Sequence, residues 1–235
     1  MSTHTASSFS SFSSFPSQHR LAALAIAGVS ILALVALSHH PVVSHPSSVQ
    51  DSLAQIAAQQ QMDGVVHGGL CVMLAILACG FSVFSDMLGA RRAPVAFANS
   101  AYVLGYCAMI GAMLLDGFVT PQLAQQFSNA PAAYLPSVQI VLSAISDVIQ
   151  VLSKAGLLAM CAAFVGWACA LYADRRVSRW HGWCAAVGML AGLLPALYIL
   201  FAEIRLAPAS LMIIFGMHVV WNFAAAGLLY RAKRE

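Results

Sequence analysis

Six long apolar stretches constrain the fold of this chain more than any other feature of its sequence. Each has enough residues to cross a hydrocarbon core of about 30 Å as an α-helix, which rises about 1.5 Å per residue. None alternates polar with apolar residues, as a membrane-barrel strand does. The sequence therefore predicts an all-α, polytopic integral membrane protein, a bundle of six transmembrane helices at about residues 21–38, 65–87, 93–116, 137–172, 182–202 and 209–230.

The shortage of charged residues supports this membrane assignment. Only 8% of the 235 residues are charged, while 60% are hydrophobic. Soluble domains carry about 25% charged residues, which cover the surface that meets water. A bundle in lipid instead needs an apolar outer surface. We therefore expect the lipid bilayer as the main partner and no nucleic acid.

The positions of the basic residues predict the orientation of the bundle. With six spans, nine of the eleven lysines and arginines fall on one side of the membrane, and basic loops stay in the cytoplasm. The sequence therefore predicts a multi-pass protein of the cell (inner or plasma) membrane with both termini in the cytoplasm. The nine residues are Arg20, Arg91, Arg92, Arg175, Arg176, Arg179, Arg231, Lys233 and Arg234.

The chain divides into one membrane domain and two short ends. Residues 1–20 are rich in serine and phenylalanine and predict a disordered cytoplasmic tail. Residues 21–231 form the six-helix domain, and residues 232–235 form a short basic cytoplasmic C-terminus. The first apolar run has a second interpretation, a cleaved signal peptide, because residues 36–38 offer a small-x-small cleavage site. Both interpretations of this run stay open.

Three segments between the spans carry structural signals of their own. Residues 50–61 predict an amphipathic helix that either lies on the outer surface or extends the second span. Thr120-Pro121 predicts the start of a separate short helix. His39, His40 and His45 follow the first span and could gather a metal, but the surrounding prolines and serines favour a flexible loop.

Ionisable side chains inside membrane spans are costly, and they point to function. The helical rise places His67, Asp116, Lys154 and Glu203 at nearly one level, about 27–33 Å from the cytoplasmic ends of their helices. We expect Lys154 to pair with Asp116 or Glu203, because a lone ammonium at that depth is unfavourable. Together the polar residues predict an outward-facing pocket formed by His67, Asp116, Asp147, Lys154, Glu203, His218 and Asn222.

The residue types in this pocket suggest a divalent metal as a possible ligand. Imidazole and carboxylate groups suit zinc, iron or copper, and the predicted metal ligands are His67, Asp116 and His218. The sequence thus predicts a protein that binds or transports a metal ion or a small polar solute. Two alternatives stay open: a metal-dependent membrane enzyme or redox protein, and a structural or accessory subunit. No GxSxG, HExxH or P-loop motif identifies an enzyme.

Small and sulfur-containing residues are predicted to serve packing. Gly188 and Gly192 allow close helix approach, which favours packing within the chain over an oligomer interface. The six cysteines lie in apolar stretches without a CxxC pair and predict core fillers. Methionines such as Met109 and Met113 are predicted to be adaptable packing. A copper pathway would need methionines clustered with histidine, and in the sequence only Met217 and His218 are adjacent.

Overall fold

Apolar periodicity and helix caps together explain the elements seen in a computed structural model of the chain. The structure describes residues 18–41, 44, 46–174, 179–202 and 205–232. Among these residues every regular element is helical, and six helices are long and apolar enough to cross a membrane. This confirms the predicted all-α fold with six candidate spans. The α-helices are α1 (Gln18–Ser38), α2 (Val49–Leu88), α3 (Ala93–Leu114), α4 (Thr120–Phe127), α5 (Leu135–Tyr172), α6 (Arg179–Phe201) and α7 (Pro208–Arg231).

All six candidate spans are longer than the apolar runs that predicted them, and the second span is lengthened the most. The segment at residues 50–61 extends α2 at its N-terminal end, and the Ser48 side chain caps that helix by accepting a hydrogen bond from the Asp51 amide. Gly89, with a φ of 88°, ends α2 in the left-handed region. A short 3-10 helix at Ala132–Tyr134 leads into α5. The predicted tail is outside the described residues except for its last three, which begin α1.

The predicted separate helix at Thr120-Pro121 is instead continuous with the third span. A π-helix at Leu115–Val119 joins α3 to α4, and the three form one stretch from Ala93 to Phe127. Pro121 has no amide hydrogen for the helix ladder, and the wider π-helical turn precedes it directly. The Thr120 hydroxyl donates to the Leu115 carbonyl at 2.9 Å across this turn.

Small residues determine how closely the helices approach each other. A Cβ on Gly105 of α3 would lie 2.7 Å from the Gly156 carbonyl oxygen of α5. On α6, a Cβ on Gly188 would lie 2.7 Å from the Trp221 ring, and a Cβ on Gly192 would lie 2.6 Å from the Cys161 carbonyl oxygen. Both glycines therefore serve helix contacts within the chain. α3 packs along α5, α5 along α6, and α1 lies against α2 and α7.

An aromatic cluster fills the centre of the bundle. Phe81 stacks on Trp167 with ring centroids 4.8 Å apart, and Phe164 packs against both Trp167 and Trp221. The Trp167 indole N–H donates to the Ser85 hydroxyl at 3.0 Å, which satisfies a fully buried donor. Large apolar side chains elsewhere point outward, as the lipid-facing surface of a membrane bundle requires.

Candidate metal centre and the cavity beneath it

His67 is held in one orientation by the backbone of its own helix. It lies on α2 and is only 3% exposed. Its Nδ1 donates to the Asp63 carbonyl oxygen, one turn earlier, at 2.9 Å. This hydrogen bond fixes the hydrogen on Nδ1, so Nε2 presents its lone pair to the neighbouring helix. There, Nε2 lies 3.3 Å from Asp116 Oδ2.

Asp116 reaches His67 because the third span changes its helical geometry at this point. Asp116 is the second residue of the π-helix, and Gly117 follows it. A Cβ on Gly117 would lie 2.7 Å from His67 Nδ1 and closer still to the Cβ and Cγ atoms of that histidine. The missing side chain at Gly117 therefore allows α2 to approach the π-helix closely. Single π-helical turns occur often at functional sites.

His40 brings a second imidazole to the same carboxylate from a third segment. It lies two residues after α1, and its Nδ1 donates to the Pro41 carbonyl oxygen at 2.7 Å. Its Nε2 lies 3.6 Å from Asp116 Oδ2, and its ring packs edge-on against His67 with centroids 4.9 Å apart. The neighbouring Asp116 carboxylate raises the pKa of His40 above its ordinary value, although partial burial acts in the opposite direction.

These three residues form a triad whose ligand atoms converge. One ligand atom from each of His40, His67 and Asp116 lies within 4.8 Å of the others. Two ligands bound tetrahedrally to zinc at about 2.0–2.1 Å are about 3.3–3.4 Å apart. The separations between Asp116 Oδ2 and the two Nε2 atoms, 3.3 and 3.6 Å, are close to that value. The triad has the ligand types and the spacing of a transition-metal site.

The triad needs positive charge when both imidazoles are in the neutral form with the hydrogen on Nδ1. Because each Nδ1 donates to a backbone carbonyl, each neutral imidazole presents a lone pair at Nε2. Those lone pairs face a carboxylate oxygen, which is also only an acceptor. Three acceptors repel one another unless positive charge lies among them. Either additional protons on the imidazoles or one metal ion can supply that charge.

A cavity of about 80 Å³ extends from the triad into the bundle. The three triad residues lie on its wall, together with Ser30, Tyr102, His218 and Asn222. Most of the other lining residues are leucines, methionines, alanines and phenylalanines. The triad therefore lies at a chamber whose walls are largely apolar.

His218 and Asn222 lie on one face of α7 and are almost completely buried. The Asn222 amide donates to the Ser30 hydroxyl at 2.9 Å, and Ser30 donates to the Ile26 carbonyl oxygen at 2.7 Å. His218 Nε2 lies 3.6 Å from Cys161 Sγ. The other ring nitrogen of His218, Nδ1, is buried without a hydrogen-bond partner among the described residues.

The structure brings together some of the predicted site residues and separates others. His67, Asp116, His218 and Asn222 line the same cavity, as one pocket requires. The predicted metal set of His67, Asp116 and His218 is not the group whose ligand atoms converge, because His40 takes the third place. His218 lies on α7 and lines the chamber, whereas His40 lies two residues after the end of α1, where its ring meets His67 and Asp116.

The remaining predicted pocket residues do not line this cavity. Asp147 is exposed and pairs with Arg205 at 3.4 Å, outside the chamber. Among the described residues, the ion-pair partners of Asp116 are the two triad histidines, so of the two expected pairs of Lys154 the one with Asp116 does not form. Lys154 is partly buried on α5, and Glu203 lies outside the described residues.

Sequence reasoning left His40 out of the predicted metal set because it favoured a flexible loop over a metal-binding cluster for His39, His40 and His45. The available signal was position: a histidine two residues beyond the first span lies at the same membrane edge as His67 and Asp116. The π-helix had a weaker signal, the Gly117 to Pro121 segment, in which a glycine and a proline interrupt an apolar run.

Comparisons of the chain with known protein families, with curated proteins and with solved structures found no match. The class of the protein is defined by its own helices, six of which are long and apolar enough to cross a membrane. It is a multi-pass membrane protein with a His40/His67/Asp116 cluster that can hold a metal ion.

Proposed function

We propose that this protein binds a divalent transition-metal ion through His40, His67 and Asp116 and handles that ion at the outer face of the cell membrane. One observation carries the proposal. Two imidazoles, each oriented by an Nδ1 hydrogen bond to a backbone carbonyl, present Nε2 to the same carboxylate oxygen. Metal-binding histidines are typically held in this way by an outer hydrogen bond.

The ligand set favours particular metals and a particular kind of site. Two imidazoles and one carboxylate suit zinc, iron and related first-row ions, whereas calcium and magnesium prefer oxygen ligands only. Three protein ligands leave at least one coordination position open, as in sites that exchange ligands, while structural zinc sites are closed by four. The triad therefore supports a site from which an ion can be released.

The size of the adjoining cavity favours metal handling over catalysis on an organic substrate. The chamber measures about 80 Å³. An engineered protein cavity that binds benzene measures about 150 Å³. The chamber is therefore small for an organic substrate, but it accommodates an ion or a few water molecules. Of the functions that the sequence left open, binding or transport of a metal ion fits this size best.

The predicted orientation assigns the triad to the outer side. His40 follows α1, His67 lies in the first half of α2, and Asp116 lies beyond the end of α3. Arg91 and Arg92 lie at the opposite end of α2 and α3, in the loop predicted to be cytoplasmic. An ion that enters at the triad would thus arrive from outside the cell.

Metal titration of the purified protein tests the proposal. We expect the full chain in detergent to bind about one equivalent of Co²⁺, a spectroscopic substitute for zinc, with visible absorption bands. His67→Ala and Asp116→Asn should abolish these bands. His39→Ala is the matched control, because His39 neighbours His40 but hydrogen-bonds to Ser38 and the Val35 carbonyl instead of the triad. Co²⁺ binding that survives both triad substitutions would contradict the proposal.

Reconstituted vesicles separate binding from transport. Protein in lipid vesicles that contain a zinc-sensitive dye should admit Zn²⁺ when the triad is intact. Asp116→Asn should abolish the dye response, and His39→Ala should retain it. If the wild-type protein binds one Co²⁺ but no Zn²⁺ enters the vesicles, the function is metal binding without transport.

A further inference from the structure

We infer that the cavity beneath the triad is a second metal site, selective for a soft monovalent ion such as Cu⁺ and formed by methionine thioethers and His218. The inference goes beyond the proposed function, because this site takes a monovalent ion, whereas the triad is suited to a divalent one. It involves no electron transfer, because copper arrives already as Cu⁺.

Four methionines line this one cavity from three different helices. Met73 comes from α2, Met109 and Met113 from α3, and Met160 from α5. Near them, the Cys71 thiol contacts the Met113 sulfur at 3.9 Å. Met109 and Met113 are one helical turn apart, the other two methionines are distant in sequence, and the sequence pattern predicts only packing. The fold brings all four to the wall of one chamber with His40, His67 and His218. Thioether and imidazole groups are ligands that suit Cu⁺.

His218 adds an unused nitrogen ligand to this chamber. The residue is 2% exposed and lines the cavity, yet Nδ1 has no hydrogen-bond partner among the described residues. A buried polar nitrogen without a partner is costly and calls for an explanation. In the tautomer that donates from Nε2 to the Cys161 sulfur, the lone pair of Nδ1 is free for a metal. Binding a soft ion would satisfy it.

The charge balance of the chamber favours a monovalent ion. Among the described residues on its wall, Asp116 is the one carboxylate, and it belongs to the triad. Methionine sulfur and neutral imidazole carry no charge to offset a cation. The cost of transferring an ion from water into such surroundings rises with the square of its charge, so a monovalent ion costs about a quarter as much as a divalent one of equal size. Thioether ligands also prefer Cu⁺ to harder divalent ions.

Competition against a chromophoric Cu⁺ chelator, without oxygen, tests this site in the full-length protein. We expect wild type to remove Cu⁺ from the chelator. Met113→Leu combined with Met160→Leu removes two direct ligands and should weaken Cu⁺ binding by more than about 100-fold, the upper range for loss of an outer-shell partner of a ligand. Leucine is close to methionine in volume, so packing is largely retained. The matched control is Met87→Leu with Met217→Leu, since neither of these methionines lines the cavity.

Two further measurements make the outcomes distinguishable. His218→Phe keeps a ring against Phe164 but removes the nitrogen, and it should also weaken Cu⁺ binding. X-ray absorption of the wild-type Cu⁺ complex should show sulfur neighbours. Copper surrounded by nitrogen and oxygen alone, or Cu⁺ affinity unchanged in both variants, would overturn the inference and leave the chamber as packing or a water site. Co²⁺ titration of the same variants reports on the triad separately, so failure of one site does not imply failure of the other.

Discussion

Gly117→Ala should disable the metal triad without removing any ligand. The glycine follows Asp116 in the π-helix, and its open side faces His67. An added Cβ would lie 2.7 Å from His67 Nδ1 and nearer to two ring-side carbons. Nδ1 is the atom that donates to the Asp63 carbonyl, so the clash acts directly on the bond that orients the imidazole.

The size of the effect follows from these distances. Ordinary contact with a Cβ begins at 3.4 Å, so Nδ1 must retreat by at least about 0.7 Å (3.4 − 2.7). Metal–ligand distances tolerate only about 0.2 Å. We therefore expect Co²⁺ affinity to fall by about 10- to 100-fold, as when an outer hydrogen bond to a ligand is removed. Overpacking should also cost about 1–3 kcal/mol of folding stability.

A Co²⁺ titration of detergent-purified protein, followed by visible absorption, measures the predicted loss. Gly64→Ala is the matched control, because it lies at the same contact between α2 and the π-helix. A Cβ on Gly64 would meet only the Phe118 ring, at an ordinary 3.8 Å. If Gly117→Ala binds Co²⁺ as tightly as Gly64→Ala and wild type, then the close approach at Gly117 does not position His67 for a metal, and the reasoning is refuted.

Three other predictions concern the pH response and the packing that supports the site. Because Asp116 raises the pKa of His40, the proton on His40 must leave before a metal binds, so Co²⁺ affinity should rise with pH and level off above that raised pKa; titrations between about pH 5 and 8 measure this. Ser85→Ala should leave the Trp167 indole without its acceptor and cost about 1–3 kcal/mol, seen as a lower thermal midpoint than that of Ser82→Ala. Gly105→Ala should destabilise the bundle by about 1–3 kcal/mol because its Cβ would clash with the α5 backbone, whereas Gly216→Ala, with open space around it, should not.

The membrane bundle could be predicted from the sequence because its signal is local. Each span is a run of apolar residues long enough to cross lipid, and a helix satisfies its backbone hydrogen bonds within itself. Six such runs predicted six helices, and the structure confirms them. Helical rise alone also gave His67 and Asp116 similar depth, because depth along a span depends only on residue number.

The partners within the site could not be predicted in the same way. Depth does not say which helices are neighbours, so Asp116 or Glu203 was expected to pair with Lys154, although Asp116 contacts two histidines. His40 lies just beyond a span, where a search restricted to span interiors does not find it. The π-helix shifts the register of the third span by a fraction of a turn, and no apolar periodicity encodes that shift.

The geometry of the triad has a local part, the orientation of each imidazole, and a tertiary part, the packing that brings the ligand atoms together. Both imidazoles are oriented by carbonyls within four residues along the chain, whereas their meeting at Asp116 depends on helix packing. The triad carries a carboxylate charge and open coordination positions, so it suits a divalent ion that keeps some of its water. The chamber beneath offers neutral sulfur and one imidazole nitrogen, which suit an ion that has lost its water. The two sites therefore differ in the ions they favour, and His67 takes part in both, because it is a triad ligand and also lines the chamber.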